Sequence, residues 1–299
     1  MDSAPEDSRS SPAGPVVQAR LGELIERLAV CDSRIRRQES GGVHQMRVAL
    51  RRLRSLLATF RPLFDPDLVA SLRDEVKWVA GELGAARDRE VVRERLSALA
   101  TGPEKRAVAD RIERELGAAE SAGVERGPEA LDSERYSQLL QDLNSLVADP
   151  PWTPDAERSC DDILRRRVRR NWKRLRQRVD RANNEARGAE RRTALHEVRK
   201  AAKRLRYSAE ALVPAYGDDA SRLVRRAKRV QTDLGELQDS VVCQQVLYEL
   251  TSADGIDEHD AFILGGMHAQ ERLRAEQAEA HFAKSWAKIS RKKNRRWLK

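Results

Sequence analysis

The chain has few cysteines and no long apolar run, and each scarcity excludes a class of protein. Its three cysteines, Cys31, Cys160 and Cys243, are far apart, odd in number and without a Cys-x-x-Cys pair. That pattern argues against a disulfide framework or a cysteine-ligated zinc site and is typical of reduced thiols in a cytoplasmic protein. No segment approaches the roughly 20 consecutive apolar residues that a membrane-spanning helix needs. The sequence therefore predicts a cytoplasmic protein without a membrane partner.

Aromatic side chains and strand signals are also scarce. Only 13 of the 299 residues are Phe, Trp or Tyr, whereas proteins that bind single-stranded nucleic acid usually stack bases on exposed aromatic rings. Charged residues make up 35% of the chain and hydrophobic residues 40%, a balance typical of helical bundles with thin cores and wide polar surfaces. We expect an all-α fold.

The chain does contain a basic pattern that occurs twice. Residues 43–54 read VHQMRVALRRLR and residues 195–206 read LHEVRKAAKRLR, an offset of 152. A second pair follows, LGAARD at residues 83–88 and LGELQD at residues 234–239, at an offset of 151. Two patterns at nearly the same offset predict an internal duplication of about half the chain.

Each copy of the basic pattern predicts an amphipathic helix. Neither copy contains Pro or Gly, and both are rich in the helix-favouring residues Leu, Ala and Arg. At about 100° per residue, the cations share one face with the histidine and the apolar residues form another. The cationic face holds His44, Arg47, Arg51 and Arg54 in the first copy, with Arg52 on a flank, and His196, Arg199, Lys203 and Arg206 in the second, with Arg204 on a flank.

The positive charge of these helices is not interleaved with acidic residues. Residues 43–61 carry five Arg and no acid, although like charges three or four residues apart on a helix repel. The net charge of +9 is concentrated in a few basic stretches, and the rest of the chain is acidic. Such segregation is typical of a protein that holds an anion. The helices that follow add Lys77 and Lys228, which match at the 151 offset, and Arg225.

Proline and glycine positions predict the organisation of the chain. We expect a disordered tail over residues 1–15, antiparallel helical bundles over residues 16–148 and 155–285, a Pro-rich linker over residues 149–154, and a basic tail over residues 286–299. If the bundles pack about a two-fold axis, their basic rows face each other across one pore.

Three helix boundaries in the second half follow from the same signals. The sequence predicts a very basic helix over residues 155–186, a partner helix over residues 218–235, and two shorter helices before the tail. Leu83-Gly84 is predicted to end a helix in the first half.

The repeated patterns resemble those of the CHAD domain family, the conserved histidine α-helical domain, over roughly residues 16–285. The resemblance implies two pseudo-symmetric bundles around a basic pore that binds inorganic polyphosphate, and localisation to polyphosphate granules. Val48 stands where the second copy has Lys200, and Gln238 where the first has Arg87, so the two rims need not contribute equally. The polyphosphate-binding residues predicted with it are His44, Arg47, Arg51, Arg52, Arg54, Lys77, His196, Arg199, Lys200, Lys203, Arg204, Arg206, Arg225 and Lys228.

Two other functions stay open on the sequence. Residues 161–181 are basic enough to bind RNA or DNA nonspecifically. A metal-dependent phosphohydrolase is a more distant third: His259-Asp260 is similar to a phosphohydrolase dipeptide, but its acidic surroundings fit the start of a helix better, and the further metal ligands of such a site are not evident. Neither a nucleophile constellation nor the Glu-x-Glu-x-Lys motif of triphosphate-tunnel domains is present. We therefore expect a stand-alone binding module with no catalytic activity, no metal and no cofactor.

Overall fold

The computed structural model describes residues 7–124, 126–186, 188–252 and 255–299, without the side chains of residues 7–8, 85–88, 118–124 and 126. These described residues form helices joined by turns, with two isolated β-bridges and no strand. The all-α fold class is confirmed. Within the same ranges, every helix is too short or too polar to cross a membrane.

The described residues form α-helices in both halves of the chain. The first half contains α1 (Asp7–Ser10), α2 (Ala13–Arg36), α3 (Gly42–Phe60), α4 (Pro66–Glu82), α5 (Ala85–Ser97), α6 (Arg106–Val124), α7 (Arg126–Asp132) and α8 (Glu134–Ala148). The second half contains α9 (Arg166–Asn184), α10 (Ala189–Glu210), α11 (Val213–Thr251) and α12 (Glu258–Ile289).

The chain divides into two compact units. Unit 1 comprises Met1–Gly81, Pro128–Gln231 and Ser285–Lys299, and unit 2 comprises Glu82–Gly127 and Thr232–Lys284. Each unit combines segments from both halves of the sequence, so neither coincides with a predicted bundle. One reason is that the long part of α11, which follows a kink at Gly217 (φ 48°, ψ −123°), belongs to unit 1 up to Gln231 and to unit 2 beyond it.

The core of unit 1 holds the apolar faces of the two predicted basic helices. α2 packs against α3 and α8, while α10 packs against α9 and α3. From α3 and α10, Leu53 and Leu205 are fully buried. Burying such side chains stabilises the fold by about 1.5–3 kcal/mol each, and it turns the cationic faces of α3 and α10 away from the core.

The segments at both ends of the described chain are packed rather than free. The predicted disordered tail is wrong for residues 7–15: Ala13 is buried, and its N–H donates a 2.8 Å hydrogen bond to the carbonyl of Arg158. In the predicted basic tail, Trp297 and Leu298 are buried, and the Trp297 ring lies 4.8 Å from the ring of Tyr216. Apolar contacts thus fix both segments in unit 1.

Three predicted helix boundaries are wrong. The very basic helix α9 begins at Arg166, after a π-helical turn at Asp161–Arg165. The predicted partner helix begins as expected after the kink at Gly217 but does not end at residue 235, since it continues through the buried Gly235 to Thr251, and the two short helices are one helix, α12. A helix-interior glycine costs about 1 kcal/mol, and long-range packing offsets that cost. Gly84, by contrast, separates α4 from α5 as predicted.

Unit 2 has its own apolar core and a buried ion pair. Residues from α5, α6, α11 and α12 form the core, including Leu96, Ile112, Leu247 and Leu264. Beside it, the guanidinium of Arg95 donates hydrogen bonds to the fully buried carboxylate of Glu271 (2.6 Å), to Glu236 (2.7 Å) and to Ser240 (2.7 Å). The predicted binding residues all belong to unit 1.

Candidate anion-binding site

A buried polar junction connects three strongly basic helices, α3, α9 and α10. The side-chain amide of Asn171 on α9 donates hydrogen bonds to the hydroxyl of Ser208 on α10 (3.1 Å) and to that of Thr59 on α3 (3.4 Å). All three side chains are buried. Because an unsatisfied buried polar group costs about 1–3 kcal/mol, the junction specifies how far each helix is shifted along its neighbours.

Near this junction, four helices each contribute one arginine to a group that we call the arginine cluster, namely Arg54 on α3, Arg73 on α4, Arg174 on α9 and Arg204 on α10. Burial lowers the pKa of Arg204, and the positive charges of Arg174, Arg73 and Arg54 lower it further. Within the part of the chain that the structure describes, none of the four forms an ion pair with a carboxylate. Arginine stays protonated in proteins, so the four like charges repel one another when no ligand is bound.

The cluster contains residues that the sequence analysis missed. Arg73 was not among the predicted binding residues, although it matches Arg225 at the 152 offset, and that match could have identified it. Arg174 has no cationic counterpart in the first half, since residue 22 is a glycine. Only the packing of α9 against α10 places it beside Arg204.

A second group of arginines surrounds a carboxylate, and we call it the Glu210 cluster. Glu210 Oε1 lies 2.8 Å from Arg206 Nε, and Glu210 Oε2 lies 3.4 Å from Arg52 Nε and 3.9 Å from Arg20 Nη2. The guanidinium carbons of Arg206 and Arg52 lie 5.2 and 5.9 Å from the centre of the Tyr207 ring. Burial lowers the pKa of Arg52, and the charge of Glu210 opposes that effect. These cations are partly neutralised inside the protein.

In both clusters, an arginine from one copy of the basic pattern lies near a non-equivalent arginine from the other copy. At the 152 offset, Arg52 corresponds to Arg204 and Arg54 to Arg206. The structure places Arg54 near Arg204 and Arg52 near Arg206. Reciprocal contacts of this kind are expected where two equivalent helices meet about a local two-fold axis. The duplication of the whole half-chain stays a prediction.

The remaining predicted residues lie on the same helices in different environments. Lys200 forms an ion pair with Glu197. The hydrogen bond from Lys200 lowers the pKa of Glu197 against the effect of burial, and the charges of Lys200, Arg178 and His196 lower it further. His44, Lys77, Arg225 and Lys228 are exposed, whereas Arg47, Arg51, Arg199 and Lys203 are partly buried.

The histidine-aspartate dipeptide lies at the start of a helix. The backbone N–H of Asp260 donates a 2.7 Å hydrogen bond to the side chain of Asp257, which precedes the first residue of α12. His259 is exposed, with Nε2 3.3 Å from the carbonyl oxygen of Glu104. Among the described residues, no three His, Cys, Asp or Glu side chains gather as metal ligands would. The dipeptide therefore has the geometry of a helix N-terminus.

Comparisons with known proteins agree with this fold. The family model of the CHAD domain matches residues 19–248. Two uncharacterized proteins of Mycobacterium tuberculosis, MT2285 and Rv2226, are each 34% identical over 287 residues, which cover 94% of this chain and 54% of the relative. The chain thus spans about half the length of these curated relatives.

Two solved structures are similar in fold. PptA from Streptomyces chartreusis superimposes with a TM-score of 0.79 at 22% identity, covering 93% of this chain and 100% of that one. The CHAD domain from the plant Ricinus communis gives a TM-score of 0.73 at 25% identity, with 95% of each chain covered.

Proposed function

The chain belongs to the CHAD domain family, and from this membership and the arginine cluster we propose that it binds inorganic polyphosphate on the part of unit 1 that presents Arg54, Arg73, Arg174 and Arg204. The observation that carries the proposal is the convergence of four arginines from four helices without an ion-paired carboxylate among the described residues.

The electrostatics of the cluster favour a polyanion. Each guanidinium can donate two parallel hydrogen bonds to phosphate oxygens, and a ligand that carries one charge per phosphate can satisfy several arginines at once. A ligand that binds only the folded protein stabilises it by an amount that rises with the logarithm of ligand concentration over the dissociation constant. Polyphosphate should therefore relieve the repulsion that the free cluster bears.

The aromatic residues favour polyphosphate over nucleic acid. Tyr207, whose ring lies under Arg52 and Arg206, is only 6% exposed and presents little surface to a base. Among the described residues, the strongly exposed aromatic side chains are Tyr248 and Phe262, which belong to unit 2. Binders of single-stranded nucleic acid usually combine cations with stacking rings, a combination that the cluster does not offer.

A competition experiment tests the proposal. Labelled long-chain polyphosphate, bound to the protein, is challenged with unlabelled polyphosphate, single-stranded DNA or RNA at matched phosphate concentration and salt. We expect polyphosphate to compete most strongly and its affinity to fall steeply with added salt as counterions are released. DNA or RNA that competes equally well would favour the nucleic-acid alternative.

Two variants locate the site within the same assay. Arg54→Gln with Arg204→Gln should strongly weaken binding, whereas Arg169→Gln with Arg176→Gln removes the same charge elsewhere on unit 1 and should cost much less. Equal losses from both pairs would mean that binding is nonspecific attraction to a basic surface.

The proposal extends to cellular location and to the absence of turnover. A fluorescent fusion should concentrate at polyphosphate granules, and the Arg54→Gln, Arg204→Gln variant should not. Cations that hold phosphate in its ground state do not by themselves accelerate hydrolysis, so orthophosphate release with magnesium or manganese should match a blank without protein. Protein-dependent release that disappears on His44→Ala would favour the phosphohydrolase alternative.

A further inference from the structure

We propose that the anion site continues from the arginine cluster along α9 to a second group, Arg61, Arg167 and Arg170, so that a long phosphate chain is held along the helix. We call this second group the α9 extension. It lies outside the duplicated pattern, and it rests on the proposed function because it assigns a further part of the same site.

The order of contacts along α3 and α9 predicts where such an extension lies. Thr59 is hydrogen-bonded to Asn171, whereas the earlier residue Arg54 and the later residue Arg174 share the arginine cluster. The two helices therefore pass each other in opposite directions. Continuing past Thr59, Arg61 should approach residues that precede Asn171.

The surroundings of Arg167 agree with this arrangement. Burial lowers the pKa of Arg167, and the positive charges of Arg170 and Arg61 add to the effect, while Asp155 opposes it. Asp155 is itself paired with Arg158, at 3.1 Å. Asp155, the carboxylate that opposes the shift at Arg167, is thus already partly neutralised by Arg158.

Helix geometry places the α9 extension and the arginine cluster next to each other along one side of α9. At about 100° per residue, Arg167, Arg170 and Arg174 fall within an arc of roughly 60° on α9. With a rise of about 1.5 Å per residue, Arg167 and Arg174 are about 10 Å apart along the axis. Arg170 and Arg174 are exposed and Arg167 is partly buried, so the three arginines share one accessible edge of α9, and Arg61, also exposed, lies near Arg167.

Arginines near the ends of the same basic segment differ from the α9 extension because they form ion pairs with carboxylates. Arg165 pairs with Asp161 (3.3 Å), Arg166 with Asp162 (3.2 Å) and Arg181 with Glu185 (3.6 Å). Among the described residues, Arg167, Arg170 and Arg174 form no ion pair with a carboxylate. Arg167, Arg170 and Arg174, which share one edge of α9, are therefore among the cations in the middle of the helix that are left for a ligand.

This arrangement makes binding depend on ligand length. A short anion can occupy the arginine cluster alone, whereas a chain that spans about 10 Å or more can also contact the α9 extension. Each additional arginine–phosphate contact strengthens binding and steepens its salt dependence.

The test compares tripolyphosphate with polyphosphate of several tens of units by calorimetry on the full chain. The α9-extension variant is Arg167→Gln with Arg170→Gln, and the control is Arg169→Gln with Arg176→Gln, which lies about half a turn away on the same helix. We expect the extension variant to lose about tenfold in long-chain affinity and to show a shallower salt slope by about 1–2. Its affinity for tripolyphosphate should equal that of the unaltered protein, and circular dichroism should confirm equal helix content.

The outcomes separate this inference from the proposed function. If the unaltered protein binds neither ligand, the proposed function fails. If it binds both, and the extension variant behaves like its control with the long chain, the extension is wrong while the arginine cluster stands. Single-stranded DNA is titrated as a third ligand: if the extension variant loses DNA binding but keeps full affinity for long polyphosphate, the α9 edge is a nucleic-acid surface and the inference is overturned.

Discussion

The side-chain amide of Asn171 donates a 3.1 Å hydrogen bond to the hydroxyl of Ser208, and both side chains are buried. Ser208 lies one helical turn after Arg204, and Asn171 lies one turn before Arg174. The hydrogen bond therefore fixes the register at which the arginines of α9 and α10 meet. Two neutral polar groups thus determine the position of charged residues that bind no carboxylate among the described parts of the chain.

Substitution of the junction amide should affect both stability and binding. Asn171→Ala leaves the hydroxyls of Ser208 and Thr59 without this donor and creates a small cavity, so we expect the free energy of unfolding to fall by about 1–3 kcal/mol. Polyphosphate affinity should also fall, because the register of α9 is loosened. Urea unfolding and calorimetry measure the two effects.

An exposed asparagine provides the control for this substitution. Asn144 donates a 2.8 Å hydrogen bond to the carbonyl of Leu140 on the surface of α8, and Asn144→Ala should change stability by no more than about 0.5 kcal/mol. Equal losses at both positions would mean that the junction has no special role.

Substitution by glutamine should change the stability of the free protein in opposite directions at Arg204 and Arg206. Arg204→Gln removes repulsion with Arg54, Arg73 and Arg174, and we expect the free protein to gain about 0.5 kcal/mol while losing polyphosphate affinity. Arg206→Gln removes the charge-assisted bond to Glu210 and should cost about 1–3 kcal/mol. Thermal unfolding with and without polyphosphate measures both variants. A loss of stability in both would contradict the assignment of Arg204 to a repulsive cluster.

Glu210 should be needed for stability but not for anion binding. Glu210→Gln removes the charge that neutralises Arg52, Arg206 and Arg20, so we expect a loss of about 1–3 kcal/mol in the free energy of unfolding. Polyphosphate affinity should stay equal or rise, since unit 1 gains positive charge. Glu23→Gln is the control, because Glu23 is exposed and its pair with Arg20 should contribute at most about 1 kcal/mol. A strong loss of affinity in the Glu210 variant would show that the Glu210 cluster positions the ligand.

The buried pair in unit 2 predicts how stability depends on pH. Burial alone would raise the pKa of Glu271, but hydrogen bonds and charge from Arg95, with further bonds from Arg274 and Ser240, hold it below its ordinary value. The unfolded state therefore takes up this proton first as pH falls. The stabilisation from Glu271 is complete above the unfolded pKa of about 4.3 and is lost as pH drops through the folded pKa.

A variant series from pH 7 to pH 3 measures this dependence. Glu271→Gln should lower stability at neutral pH by about 1.5–3 kcal/mol, through the loss of charge-assisted bonds, and should lose less than the unaltered protein on acidification. Glu276→Gln, at an exposed position on the same helix, serves as the control and should keep the original pH profile. If the profile of the Glu271 variant is unchanged, another carboxylate accounts for the acid sensitivity.

Much of the fold could be predicted from local sequence patterns. The apolar residues of α3 recur at helical spacing, and its observed range, Gly42–Phe60, contains all of residues 43–54, for which the repeated pattern predicts a helix. Predictions failed where distant segments outweigh local signals. Gly235 does not end α11, because the helix around it is buried by packing, and residues 7–15 are ordered by contacts with segments near Arg158 and Tyr216.

The sequence by itself determined the chemistry of the candidate site, since repeated unopposed cations on a helix predict an anion ligand. It could not determine which of those cations stay available. Arg204 and Arg206 are the same residue type two positions apart on α10, yet Arg204 lies near Arg174 and Arg54 while Arg206 binds Glu210. Two positions on a helix differ by about 200° in direction, so the two arginines face different sets of neighbouring side chains. The tertiary packing of α3, α4 and α9 around α10 decided which one is left for a ligand.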